Sequence, residues 1–156
     1  MNLSEYDDKD LLRLNSRILK ELKSRGIIRT FNNPLGDYTE WLVSTRLDYT
    51  LENNSKAGFD ATSKTGERIQ IKGRRVTPTN NSRQLSAIRN LSSKDFDILA
   101  AVIFDEDYNV IEAKMIPQEI IHEYANYREH VNAHILILKG DILSDNRIKD
   151  IKKDLI

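Results

Sequence analysis

The chain has 156 residues, of which 39% are hydrophobic and 31% charged, a composition that predicts one domain with a single sizeable core rather than two. It contains no cysteine, so disulfides, thiolate zinc sites and thiol catalysis are excluded together, and any metal must be held by oxygen or histidine. No apolar run approaches the length needed to cross a membrane, and the first ten residues, MNLSEYDDKD, lack the basic and apolar regions of a secretory signal, so a cytoplasmic protein is expected.

Leu11, Leu14, Ile18 and Leu22 recur at helical spacing, with Ser4 or Asp7 as N-cap and Gly26 where a helix of that length would end. This first helix is expected to pack its apolar stripe on the core. A second helix follows Asn33-Pro34, because proline suits a first turn, and runs to about Leu51, ahead of the breaker Asn53-Asn54. Within it Glu40 shares helical spacing with Val43, Leu47 and Leu51, so its carboxylate projects from an apolar stripe toward the protein. The alternative is a capping box in which Glu40 reaches back to the Asp37 backbone.

The stretch GFDATSKTGERIQIK, residues 58 to 72, alternates apolar and polar positions on both sides of a glycine-containing turn and reads as a β-hairpin. Phe59 and Ala61 on one strand and Ile69 and Ile71 on the other must face the same core. Paired residues share a face, so their numbers add to an even sum, which demands an odd loop such as Lys64-Thr65-Gly66 with glycine at the left-handed position. Asp60 then lies opposite Gln70, with Lys72 one pleat further on the same face. Asp60 can hold a hard cation through oxygen, Gln70 adds a neutral oxygen ligand, and Lys72 can stabilise a phosphate or help activate water. The plainer alternative is a solvent-facing strand surface with a fortuitous charge pair.

Further along, RRVTPTNNSR (74 to 83) has the Pro, Asn and Ser content of a loop, and a short helix is expected near Gln84 to Asn90. DILAAVIF, Asp97 to Phe104, is apolar without alternation, as expected of a strand buried on both faces at the sheet centre. Val110 to Ile116 returns beside it, and Pro117 opens a helix through about Tyr127. A strand from His134 to Lys139 and a last helix from Asp145 to Leu155 complete the order. The whole predicts an α/β fold, one mixed sheet flanked by helices, as a single domain over 1–156 with a helical N-terminal part over 5–51, a core sheet over 57–140 and a C-terminal helix over 145–155.

Formal net charge is zero, but its distribution is uneven. Between Ala61 and Lys94 eight basic residues face one acid, Glu67, giving +7, so the remainder, sixteen bases against twenty-three acids, is −7. Such asymmetry suggests a polyanion-binding face on an acidic body, the alternative being a solvated basic surface without a partner.

Glu40 on a helix, then Gly58-Phe59-Asp60, a hairpin, and Gln70-Ile71-Lys72 resemble the PD-(D/E)XK nuclease superfamily, the restriction-endonuclease-like fold. The ordered pattern covers Leu35 to about Ile116. The form with Gln in place of the second acid is similar to the methyl-directed type IV restriction enzymes, and the helix Glu to the archaeal Holliday-junction resolvases. Phe59 stands where the motif has proline. Gln70 is the weightier departure, because losing a carboxylate leaves metal affinity more dependent on Glu40. The resemblance implies a hydrolase, a metal-dependent DNA endonuclease acting in restriction or defence, with Mg²⁺ or Mn²⁺ held by Glu40 and Asp60, Gln70 as auxiliary ligand and Lys72 as catalytic cation. Arg74, Arg75, Asn80, Asn81, Arg83 and Arg89 then offer charge and hydrogen-bond donors to a DNA backbone. Many such nucleases act as dimers, so a homodimer belongs to the same expectation. Two other readings stand beside this one: a non-catalytic nucleic-acid-binding module that keeps the fold, and a protein-interaction domain. His130 and His134 stand four apart but lack a third ligand, and are read as structural.

Overall fold

A single carboxylate starts the first helix: Asp7 Oδ1 accepts the Asp10 N–H at 2.8 Å, and α1 (Asp8–Ser24) runs until Gly26 turns the chain at φ 72°. The computed structural model describes residues 1–53 and 58–156. Against expectation, α1 packs no residue fully into the core; Leu14, Leu19 and Leu22 are half covered and its other apolar side chains are exposed.

Asn33 Oδ1 accepts the Leu35 N–H at 3.0 Å at the start of α2 (Leu35–Leu47), which buries Thr39, Leu42, Val43 and Ser44. The helix stops short of Leu51, at Asp48, which adopts a left-handed conformation with φ 56°. Beyond it Thr50–Leu51 is a strand, β1, paired antiparallel with β2 (Ala61–Thr62). Sheet pairing has overridden helical spacing at residue 51.

The main sheet has six strands in the order β1-β2-β3-β4-β5-β8, with β3 at Arg68–Arg75, β4 at Ile98–Phe104, β5 at Val110–Pro117 and β8 at Lys149–Asp150. β3 and β4 are parallel and the other pairs antiparallel, so the expected mixed sheet is present, with β4 buried almost throughout its length. Register sets the faces. Ile69 and Ile71 share one face with Ala100, Val102 and Phe104 and pack under α2 and α4 (Lys152–Leu155); Leu99, Ala101 and Ile103 face Leu85, Ile88, Ile121, Leu136 and Leu138 on the other.

A parallel pair needs a crossover, and here residues 76–97 supply it without the helix expected at Gln84 to Asn90. Leu85 N–H donates to Leu136 O at 2.9 Å, and Ile88 and His134 exchange backbone bonds at 2.8 Å in both directions. The segment is therefore extended, and the three-residue spacing of Leu85 and Ile88 serves burial rather than a helix. Distant pairing also shortens the next helix. The one expected from Pro117 to Tyr127 is a 3-10 turn (Gln118–Ile120) leading into α3 (Ile121–Tyr124), because Asn126–Arg128 forms β6 against β7 (Ala133–Ile135) in a separate two-stranded sheet. The strand expected over His134 to Lys139 is thus shorter and lies outside the main sheet.

No helix spans Asp145 to Leu155. Asp145 accepts hydrogen bonds from Tyr124 Oη at 2.6 Å and from the Arg147 N–H at 2.9 Å, a turn that holds the C-terminal segment to α3. Asp150 then takes Lys114 Nζ at 2.7 Å, which draws Lys149–Asp150 onto the edge of β5 as β8. No helix among the described residues is long and apolar enough to cross a membrane.

Candidate active site

The hairpin forms in the register that parity requires: Ala61 pairs with Ile69 and Thr62 with Arg68, and Gly66 takes φ 86° in the loop. β2 is so short that it covers only Arg68 and Ile69 of the eight-residue β3. Beyond that point Asp60, in the bend before β2, takes over. Its N–H donates to Ile69 O at 2.8 Å, and its Oδ2 accepts the Ile71 N–H at 2.7 Å. A side-chain carboxylate thus stands where a neighbouring strand would place a carbonyl.

Two glycines bring the flanking elements in. Gly58 has φ 92°, and a Cβ there would lie 2.4 Å from the Asp95 Cβ, so the approach to Asp60 tolerates only glycine. Gly73 on β3 faces α2, where a Cβ would lie 2.1 Å from Thr39 Oγ1. That close approach seats α2 on the strand and carries Glu40, the next residue, to the same cleft.

The cleft measures about 460 Å³ and is lined by Asn33, Glu40, Asp60, Gln70, Lys72 and Ser86, among others. Glu40 receives a hydrogen bond from Arg29 Nη2, and Arg29 Nη1 also donates to Glu52 O at 2.8 Å. Asp37 Oδ2 accepts the N–H groups of Arg29 at 2.9 Å and Thr30 at 2.7 Å. The Asp37–Glu40 capping box therefore gives way to two separate tethers on the Arg29-Thr30 segment. Lys72 Nζ donates to Ser86 Oγ at 2.9 Å and to Ala87 O at 3.2 Å, so the crossover fixes the ammonium. Gln70 Oε1 is buried and has no hydrogen-bond partner among the described residues, an arrangement that costs about 1–3 kcal/mol in a folded protein.

Electrostatics follow from this crowding. Burial raises the Glu40 carboxyl above its ordinary value and the Asp60 charge adds to the shift, while Arg29 opposes it. Burial likewise raises Asp60, against the Ile71 N–H bond and the charges of Lys72 and Arg29. Burial lowers Lys72, and Asp60 opposes that shift. Two carboxylates and an ammonium are each pushed toward neutrality in one cleft, a pattern typical of reactive sites.

Among the described residues no group of three His, Cys, Asp or Glu comes together. The cleft is lined by two carboxylates, Glu40 and Asp60, and one amide, Gln70. Glu40 and Asp60, each raised mainly by burial, with the Gln70 amide beside them, are oxygen donors of the kind that a hard divalent cation such as Mg²⁺ or Mn²⁺ takes, and Arg29 already holds Glu40.

The basic residues expected to meet a phosphate backbone are dispersed. Arg74 lies on the Gln70 and Lys72 face and is held by Ser82 O at 2.9 Å and Asn80 Oδ1 at 3.3 Å. Arg75 points to the opposite face and sits 5.1 Å above the Tyr108 ring. Arg83 pairs with Glu112 at 3.8 Å, and Arg68 with Asp97 at 2.9 Å, so acids elsewhere in the chain neutralise part of the +7 segment. Asn80, Asn81 and Arg89 are exposed. His134 lies beside Tyr127, with ring centroids 5.3 Å apart.

Sequence reasoning missed Arg29 and Ser86. A carboxylate on an apolar stripe calls for a counter-charge, but nothing in the spacing singles out Arg29, which lies between two helices. Compared with models of known protein families the chain matches none, and no curated protein matches it.

Proposed function

We propose that this chain is a divalent-metal-dependent endonuclease that hydrolyses phosphodiester bonds in DNA, built on the restriction-endonuclease-like fold. The observation that carries the reading is the meeting of Glu40, Asp60, Gln70 and Lys72 in one cleft at the uncovered edge of β3. Glu40, Asp60 and Gln70 would hold the cation, which would supply charge neutralisation at the phosphate and acidify water. Lys72, anchored by Ser86 and Ala87, would set its ammonium against the negative charge that builds up on the phosphoryl oxygens. Asp60 keeps its geometry through the Ile71 N–H, and Arg29 holds Glu40, so a cation would have to compete with it for that carboxylate. Arg74, Asn80, Asn81 and Arg89 would offer contacts to the DNA backbone.

The pairing of Glu40 with Arg29 favours one other reading, a nucleic-acid-binding module whose second carboxylate is permanently engaged. Incubating supercoiled and linear DNA with purified protein and Mg²⁺ or Mn²⁺, beside EDTA and Lys72→Ala controls, decides between them. The nuclease reading expects metal-dependent nicking that falls roughly 100-fold or more in Lys72→Ala. Salt-sensitive DNA binding without cleavage of modified, unmodified or branched substrates selects the module instead.

A further inference from the structure

Arg29 stands between α1 and α2 with its backbone pinned and its side chain committed to Glu40. Its N–H and that of Thr30 both donate to Asp37 Oδ2, at 2.9 and 2.7 Å. Asp37 and Glu40 lie three apart on α2 and share one side of the helix, so one short segment supplies backbone N–H groups to the first and a guanidinium to the second. The guanidinium is used at two corners. Nη1 donates to the Glu52 carbonyl at 2.8 Å and Nη2 to Glu40 Oε2, while its charge, with that of Lys72, opposes the upward push that burial gives the Asp60 carboxyl. The Arg29 side chain is 30% exposed and that of Glu40 18%, so the cation is the more open member of the pair. A planar fork fixed at one corner on a carbonyl can exchange its partner at the other corner without letting go of the first.

We propose that Arg29 is a substrate-binding residue held in reserve on Glu40: once Glu40 turns to a divalent cation, Arg29 Nη2 passes to an oxygen of the DNA phosphate. The inference rests on the nuclease reading and deepens it. A phosphate offers the guanidinium the same kind of acceptor oxygens as a carboxylate, so the exchange replaces one charge-assisted hydrogen bond by another. The backbone of Arg29 need not move, because Asp37 keeps it in place throughout. A thermodynamic consequence follows. Arg29 drawn to a phosphate leaves Glu40 open to the cation, and Glu40 drawn to the cation leaves Arg29 open to the phosphate. DNA and metal therefore favour each other's binding by the same factor. Without DNA the site is guarded, since Glu40 is reached only at the expense of its bond to Arg29.

Two affinities that move in opposite directions test it. Calorimetric titration with Mn²⁺ compares the natural chain with Arg29→Gln, which keeps a donor for the Glu52 carbonyl and removes the charge. Binding at least about 10-fold tighter in the variant is the expected result. Fluorescence anisotropy of a labelled DNA duplex at saturating Mn²⁺, in a Lys72→Ala background that slows cleavage, is expected to show binding about 10-fold weaker once Arg29→Gln is added. Arg29→Lys keeps the charge but not the fork and should fall between the two in both measurements. Far-ultraviolet circular dichroism checks that each variant folds, and Arg29→Lys carries the comparison where Arg29→Gln does not. A merely structural Arg29 would loosen the site and weaken both affinities, a result that overturns the proposal. So does an Mn²⁺ affinity equal to that of the natural chain, or a DNA affinity unchanged at saturating Mn²⁺; each of these leaves the nuclease reading standing. Absence of Mn²⁺ uptake by both chains, or of DNA binding by both, overturns that reading and this inference together.

Discussion

Glu40 is only 18% exposed at its side chain, and its negative charge is met by Arg29, which also ties the Glu52 carbonyl. Removing Arg29 leaves a largely buried carboxylate beside Asp60 with no counter-charge. Arg29→Ala is therefore expected to lower stability in urea denaturation at neutral pH by about 1–3 kcal/mol. The pH dependence has a definite sign. The folded-state pKa of Glu40 is already raised by burial and by Asp60, so its ionisation opposes folding and protonation relieves the strain. The loss in Arg29→Ala should be full above the raised pKa of Glu40 and should shrink as pH falls through it. A deficit that stays constant across that range would show that Arg29 acts through packing alone. At this scale Asp60, Gln70 and Lys72 were legible because strand parity admits only one face for them. Arg29 was not, because charge pairing between distant segments leaves no period in the sequence.

Elements meet at this site because glycine allows it. Gly73 lets α2 rest on β3 with Thr39 Oγ1 where a Cβ would stand, and Glu40 follows Thr39 in the chain. Gly73→Ala is expected to cost about 1–3 kcal/mol by overpacking and to move Glu40 away from the cleft. Adding Thr39→Ala removes Oγ1 and the Cγ2 that would lie 3.2 Å away, and should recover part of the loss in thermal melts. Absence of any recovery would place the strain elsewhere. The elements that sequence reading recovered, α1, the hairpin, β4 and β5, carry a strong period, an uninterrupted apolar run or a turn rule of their own. Those it misplaced depend on partners far along the chain: Gln84 to Asn90 is extended because it bonds to residues 134–138, and the expected C-terminal helix is broken because Asp145 serves Tyr124 and Asp150 serves Lys114. Such partnerships override local propensity and are invisible to it.

On the scale of the whole molecule, the six-stranded sheet keeps its two apolar faces closed and leaves one edge of β3 uncovered where β2 ends. The cleft occupies that gap, reached from one face by α2 and from the other by the crossover that anchors Lys72. Charge asymmetry seen along the chain is softer in space, because Arg68 and Arg83 find acids in other segments. What remains concentrated is the constellation itself: two carboxylates raised by burial, one amide oxygen unpaired among the described residues and one lysine lowered by burial. The proposed function requires this constellation to bind a divalent cation, which calorimetric titration with Mn²⁺ of the natural chain and of Asp60→Ala would reveal. Saturable binding at one site per chain, lost in Asp60→Ala, is the expected result. No saturable uptake up to about 10 mM, or equal binding by the variant, would contradict it.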